Sequence, residues 1–307
     1  MRVILRTAAA AGAVAAAGAF AWGSLVERRR FTLRRVTVPV LPAGADPIRV
    51  LHLSDLHMAP WQKAKQEWVR SLASLKPDLV VDTGDNLGHE RGIEGIREAY
   101  APFAGVPGVF VWGSNDYYGP QPKNPLRYFR GASTEPRNPR RLDLEALSRY
   151  LRDDLGWTDL DNTAAGLVLR GLPIDFFGVD DPHRQFDRLD EVSAAMDELD
   201  EAREEPAALR IGVTHAPYRR ILDSFTRRGA EVIFAGHTHG GQVCVPFFGA
   251  LVTNCDLPRR QVKGLSRWRS GSRASWLHVS AGLGTSIYAP VRFACPPEAT
   301  LVTLTAP

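Results

Sequence analysis

The chain has 307 residues, enough for one large layered domain or two smaller ones. Hydrophobic residues make up 44% and charged residues 23%, which excludes a disordered chain, a collagen-like repeat and a coiled coil. The net charge of +4 is local: residues 1–35 hold seven arginines against Glu27, a balance of +6, so the rest sums to −2 and a nucleic-acid-binding body is disfavoured.

Twenty uncharged residues, 7–26, are preceded by Arg2 and Arg6 and followed by Glu27 and three arginines, Arg28, Arg29 and Arg30. That length can span a bilayer, so residues 1–35 read as a membrane anchor or signal segment. Small-residue sites such as Ala17-Gly18-Ala19 suit signal cleavage, whereas an uncleaved anchor is the favoured expectation. Counting arginines on either side tips the body toward the cytoplasmic face. Pro39, Pro42 and Pro47 around Gly44 suggest an extended linker over 36–47, with the body at 48–307. Within it, short apolar runs predict strands at 48–53, 79–81, 109–112, 174–179, 209–213, 232–235 and 276–280. Helical spacing predicts helices at 63–75, 94–103, 142–153, 187–204 and 218–228. This alternation implies a layered α/β fold around a central sheet. The Pro-rich, basic stretch 119–141 reads as a long loop, in which Lys123, Arg127, Tyr128, Phe129 and Arg130, with Tyr117 and Tyr118 just before it, could form a lid for an anionic group. The cysteines, Cys244, Cys255 and Cys295, contain no C-x-x-C pair and no disulfide framework; buried thiols are expected for the first two.

Several strands end in chemistry. The first runs into Ser54-Asp55-Leu56-His57, and in an extended segment residues i and i+2 point the same way, so Asp55 and His57 can meet one ion. The second runs into Thr83-Gly84-Asp85-Asn86 and the third into Gly113-Ser114-Asn115-Asp116. Later strands lead to His215 and to Gly236-His237-Thr238-His239-Gly240-Gly241-Gln242. Each piece alone is an ordinary turn signal; their ordered recurrence at strand termini points to a metal site.

The ordered set S-D-L-H, T-G-D-N, G-S-N-D-Y-Y, a lone His and G-H-T-H-G-G-Q resembles the calcineurin-like metallophosphoesterases, and looks like their membrane-associated bacterial branch. Gly178-Val179-Asp180-Asp181-Pro182, Gly282-Leu283-Gly284-Thr285-Ser286 and Cys295-Pro296-Pro297 are similar to that branch as well. The resemblance implies a four-layer α/β/β/α sandwich with an N-terminal hydrophobic helix and a site for two divalent ions, Mn, Fe or Zn. Carried over by position, Asp55, His57 and His239 would hold one ion, Asp85 would bridge both, and Asn115, His215 and His237 would complete the second. Such a pair generates hydroxide from water at neutral pH and neutralises phosphoryl oxygens, so no protein nucleophile is needed.

One motif departs from the family. Aligned without a gap on Asp116-Tyr117-Tyr118, Ser114 falls where the metal-binding Asn belongs and Asn115 where a His belongs. Either Asn115 takes over ligation by a small shift of the turn, the preferred assignment, or Ser114 ligates and Asn115 only hydrogen-bonds. Both options remove the imidazole that assists the leaving group in the family, with Asp116, His89 or His183 as possible replacements. The expectation is a membrane-associated hydrolase cleaving a phosphodiester or diphosphate bond of a lipid-linked or nucleotide-linked substrate, with Asp85 and Asn115 as catalytic residues. The competing expectation is a catalytically impaired metal-binding scaffold of the same fold.

Overall fold

The computed structural model describes residues 2–122 and 140–307, with side chains from residue 10 onward. Two six-stranded sheets face each other. The first contains β1 (Thr32–Pro39), β2 (Ile48–Leu53), β3 (Leu79–Asp82), β4 (Gly108–Phe110), β5 (Thr158–Asp159) and the last strand, β14 (Glu298–Thr305), in the order β1-β14-β2-β3-β4-β5. The second contains β6 (Thr163–Leu169), β7 (Leu172–Val179), β8 (Leu209–Thr214), β9 (Val232–Ala235), β12 (Gly264–Ser270) and β13 (Arg273–Val279), in the order β12-β13-β9-β8-β7-β6. A small hairpin, β10 (Cys244–Val245) with β11 (Gly249–Ala250), stands apart from both.

Burial explains the layering. Strand residues of one parity in β2, β3 and β4, such as Val50, Val81 and Val109, meet Phe176, Ile211 and Phe234 of the second sheet. Those of the other parity, including Leu51, Leu53 and Val80, pack on α2 (Lys63–Ser71) through Val69 and on α3 (Gly92–Tyr100) through Ile96, Ala99 and Tyr100. On the far side, Phe177, Ile233 and Leu277 lie under α6 (Leu189–Glu201) and α7 (Arg219–Arg227) through Val192, Met196, Ile221, Leu222 and Phe225. The order of layers is therefore α/β/β/α, and the single central sheet suggested by strand alternation is corrected to two. Near-continuous apolar runs in β2, β3, β8 and β9 follow, because parallel strands covered on both faces have no solvent side. Two more helices complete the labelled set, α4 (Ser114–Tyr117) and α5 (Leu144–Arg149).

The expected linker over 36–47 is corrected in its first part, 36–39, while 40–47 form neither helix nor strand. Residues 32–39 form β1, which pairs in parallel with β14 from Thr32↔Glu298 to Pro39↔Thr305, so the body starts at residue 32. Arg34 Nε donates to Glu298 Oε2 at 3.1 Å across this pair. Ahead of it, α1 (Arg2–Leu25) begins a stretch, Ala10–Arg29, that is long and apolar enough to cross a bilayer. Most of the proposed lid, including Lys123, Arg127, Tyr128, Phe129 and Arg130, lies outside the described residues. Cys244 and Cys295 are buried and Cys255 is half-buried; all three are free thiols.

Candidate metal centre

Strands β2, β3, β4, β8 and β9 all deliver their C-terminal loops to one end of the two sheets, and the seven nominated residues meet there. Asp55, His57, Asp85, His237 and His239 share a feature that the sequence did not signal: each adopts a left-handed backbone, with φ of 50, 42, 56, 67 and 49°. Side chains bearing a Cβ rarely occupy this region, and such strain concentrates at functional sites. Asp55 and His57 therefore converge by two left-handed turns and not, as expected, by extended i, i+2 geometry. Gly84, at φ +81°, leaves no room for a Cβ, which would sit 2.5 Å from Gly113 N, so the β3 and β4 loops can touch.

The first donor set surrounds one point. His57 Nε2 lies 3.1 Å from His239 Nε2, Asp55 Oδ1 lies 3.4 Å from His239 Nε2, and His57 Nε2 lies 3.5 Å from Asp85 Oδ2. Four donor atoms, one each from Asp55, His57, Asp85 and His239, fall within 4.8 Å of one another. The other oxygen of Asp55 is already engaged, accepting from Ser54 Oγ at 2.6 Å and His237 N at 3.0 Å, whereas Oδ1 is buried without a hydrogen-bond partner. An orphaned carboxylate oxygen facing two imidazole nitrogens fits a divalent cation.

The second set lies across Asp85. His215 Nε2 is 3.6 Å from Asp85 Oδ1 and 3.3 Å from His237 Nδ1. Three of the four imidazoles donate their other nitrogen to a backbone carbonyl, which can only accept: His215 Nδ1 to Thr83 O at 2.7 Å, His237 Nε2 to Asn254 O at 3.1 Å and His239 Nδ1 to Gly284 O at 3.2 Å. Those bonds orient the rings and turn Nε2 of His215, Nδ1 of His237 and Nε2 of His239 toward the centre.

Electrostatics follow from this packing. Burial lowers His57 to about 4 and, with Arg292 adding to it, His239 to about 3, so both stay neutral. Burial also lowers His215, but the carboxylates of Asp85, Asp55 and Asp181 outweigh it and raise that imidazole to about 9. Burial pushes the Asp85 carboxyl upward, and His215, His57 and the Asn115 amide reverse it, holding Asp85 well below the usual carboxylate range.

The departing turn keeps its shape. Asn115 N donates to Asp85 Oδ1 and Asn115 Nδ2 to Asp85 Oδ2, both at 2.7 Å, whereas Ser114 Oγ donates to Asp181 Oδ2. Asp116 is fully buried and accepts from three backbone amides, Asp85 N at 2.8 Å, Gly113 N at 2.9 Å and Asn86 N at 2.7 Å. It braces two turns and is thereby removed as a candidate acid. His89 accepts from Arg91 N at 3.1 Å and stands edge-on to the exposed Trp61, which places it on an outer turn. His183 is the candidate that touches the centre: its ring centroid lies 4.6 Å from that of His237, and its Nδ1 is 3.0 Å from Tyr218 Oη. Two side chains beside the donors were not among the nominated residues: Asp181, which lies in the Gly178–Pro182 motif and is raised to about 6 because burial outweighs His215 and the Ser114 hydrogen bond, and the buried Arg292, which belongs to no motif.

Residues 48–241 match the family model of the calcineurin-like phosphoesterases. An uncharacterized protein of Bacillus subtilis (strain 168), YpbG, is 29% identical over 308 residues, covering 98% of this chain and 95% of that one. YkuE of the same organism, an uncharacterized metallophosphoesterase, is 27% identical over 310 residues, covering 97% and 93%. A transmembrane protein with a metallophosphoesterase domain from Bos taurus is 27% identical over 218 residues, covering 68% of this chain and 44% of that protein. The chain belongs to the calcineurin-like phosphoesterase family, and is a hydrolase acting on phosphoric esters with a residue cluster suited to divalent metal.

Proposed function

We propose that the protein is a membrane-tethered phosphohydrolase that uses two divalent ions to cleave a phosphodiester or diphosphate bond, its substrate a lipid-linked or nucleotide-linked molecule. The observation that carries the reading is the position of Asp85, whose two oxygens face separate imidazole sets, His57 at 3.5 Å and His215 at 3.6 Å. Bound there, a pair of ions supplies hydroxide from water at neutral pH and neutralises charge on the phosphoryl oxygens. Asp55, His57, Asp85 and His239 would hold one ion, and Asp85, Asn115, His215 and His237 would hold the other. Asn115 fixes both Asp85 oxygens through its backbone and side-chain nitrogens, keeping the carboxylate between the sets. The lipid part rests on α1 and the span Ala10–Arg29.

The test is hydrolysis of bis-p-nitrophenyl phosphate by the full chain, metal-stripped and refilled with Mn²⁺, beside Asp85→Asn. The expected result is activity that Mn²⁺ restores and Asp85→Asn abolishes. Stoichiometric Mn²⁺ binding without turnover on any phosphoester would overturn the enzyme reading in favour of a metal-binding scaffold, which the absence of an imidazole at 114 and 115 makes the natural competitor.

A further inference from the structure

Arg292 is the bulkiest of the fully buried side chains among the described residues. No carboxylate lies within ion-pair distance of it among those residues; its partners are backbone carbonyls and the His239 ring, whose Nδ1 lies 3.4 Å from Nη2. Nη2 donates to Ala281 O at 2.8 Å, Gly282 O at 3.0 Å and Gly284 O at 2.7 Å, and Nη1 to Cys295 O at 3.3 Å and His239 O at 3.5 Å. Burying a guanidinium without a counter-charge is expensive, so its position needs a reason.

The carbonyls it gathers belong to the segments that shape the first donor set. Gly284 accepts from His239 Nδ1, Gly284 N donates to Asp55 O at 2.6 Å and Leu283 N to Ser54 O at 3.0 Å. Gly282, at φ +70°, packs so closely that a Cβ would sit 2.6 Å from Asp55 Cβ. One planar fork thus ties the backbone of His239 to the loop that supports Asp55.

The other side of Arg292 meets the end of α1. Arg292 N donates to Gly23 O at 3.2 Å, and a Cβ on Gly23 would sit 2.5 Å from Arg292 O and 2.9 Å from Val291 Cγ2. Three residues later the contact repeats: Cys295 N donates to Glu27 Oε1 at 2.7 Å, while Trp22 Nε1 donates to Glu27 Oε2 at 3.0 Å. Glu27 is buried, although it lies directly after the apolar helix.

We propose that Arg292 is a positioning residue of the metal centre and that the last turn of α1 and the turn that follows it belong to the same assembly: Gly23 in the first and Glu27 in the second fix residues 291–295, and Arg292 passes that constraint to His239 and to the 281–284 loop beneath Asp55. The apolar helix is then more than a tether, because the set that holds the first ion is built against its end. A lysine at 292 keeps the charge and loses the fork, so it separates electrostatics from positioning. The inference rests on the metal-centre reading.

The experiment titrates the full chain in detergent with Mn²⁺ and Co²⁺, following stoichiometry, affinity and the Co²⁺ absorption spectrum, with circular dichroism as the check on folding. The wild type binds two ions; failure here would defeat the metal-centre reading itself. Arg292→Lys and Gly23→Val each weaken one of the two ions by about tenfold or more and shift its Co²⁺ spectrum, in line with the usual effect of residues that orient metal ligands. Glu27→Gln, which keeps the shape and one acceptor, causes a smaller loss. Should Arg292→Lys fail to fold, Gly23→Val and Glu27→Gln decide, since both lie on the helix side of the contact. Folded Arg292→Lys and Gly23→Val proteins that bind both ions with wild-type affinity and spectra would overturn the proposal while leaving the metal centre intact.

Discussion

The contrast among the imidazoles makes metal binding at the two donor sets respond differently to pH. In the metal-free protein His215 is raised to about 9 by Asp85, Asp55 and Asp181 against the effect of burial, so at pH 7 it carries a proton. An ion taking Nε2 must displace that proton, since a metal ligates only the neutral ring. Two pH units separate pH 7 from that value, and at about 1.4 kcal/mol per unit the displacement costs about 2.7 kcal/mol, about a hundredfold in apparent affinity. The ion flanked by His215 and His237 should therefore bind about tenfold more tightly per pH unit from 7 to 9. His57, lowered to about 4, and His239, lowered to about 3, are neutral throughout this range and add no such slope to the other ion. The assay is calorimetric titration with Mn²⁺ at pH 7, 8 and 9 in buffers of different ionisation enthalpy, which counts protons released for each ion. One ion releasing about one proton at pH 7, and about half of one at pH 9, is the expected result. A second ion whose affinity is flat from pH 7 to 9 with no proton release would refute the reasoning, because His215 would then be neutral beside three carboxylates.

Two further predictions concern the reacting end. A methyl group at Gly236 would collide with Ser54 Oγ and come within 2.7 Å of Asp55 Oδ2, so Gly236→Ala should displace the Asp55 carboxylate and lower kcat/KM about a hundredfold with the fold retained; wild-type kinetics would show that Asp55 placement is not limiting. With no imidazole at 114 or 115 and Asp116 committed to backbone amides, rates should fall steeply as the leaving-group pKa rises from nitrophenols to alkyl alcohols, and Asn115→His should restore part of the about 10²- to 10⁴-fold that a general acid provides. Equal rates for aryl and alkyl esters in the unaltered protein would instead point to an acid already in place, with His183 beside His237 the first to replace.

How much of this was legible in the sequence depended on whether the signal was local. Strand-end motifs were readable because Asp55, Asp85, His215 and His237 each follow an apolar run that has one plausible structure. The buried strands β2, β3, β8 and β9 were readable for the same reason. Strand β1 was not, because Thr32–Pro39 is an edge strand with exposed arginines, and its partner β14 lies at the other end of the chain. No window of sequence contains both halves of that pairing, and the nearby prolines favoured a linker. Its recovery has a practical consequence: a chain starting at residue 36 would lose the Thr32–Arg35 half of the ladder, the Arg34 contact to Glu298 and the Glu27 contact to Cys295. The convergence of Asp55 with His57 was anticipated, but for the wrong backbone. Extended and left-handed segments share the same letters, and the bonds that accompany the left-handed form come from distant segments, the 83–85 loop and residues 283–284. Arg292 gave no signal at all, because a single arginine between Val291 and Phe293 belongs to no pattern.

The altered turn at 113–116 separates what the architecture requires from what the chemistry requires. Its geometry depends on groups that a change of side chain at 114 or 115 leaves untouched: the Asn115 backbone nitrogen on Asp85, and the Asp116 carboxylate spanning the amides of Gly113, Asp85 and Asn86. The turn therefore keeps its brace on Asp85 Oδ1 when its side chains change, and only the Asn115 Nδ2 contact to Asp85 Oδ2 depends on which residue stands at 115. Only the proton-donating ring is lost, and the brace made by the Asn115 backbone nitrogen and the Asp116 carboxylate does not replace it. A substitution that spares the donor geometry and removes the acid is expected to narrow the range of leaving groups before it reduces metal binding, so the Mn²⁺ titration and the leaving-group series should give different answers for the same protein. If both were impaired together, the brace would have failed as well, and the turn would have to be regarded as a damaged ligand and not as an altered catalyst.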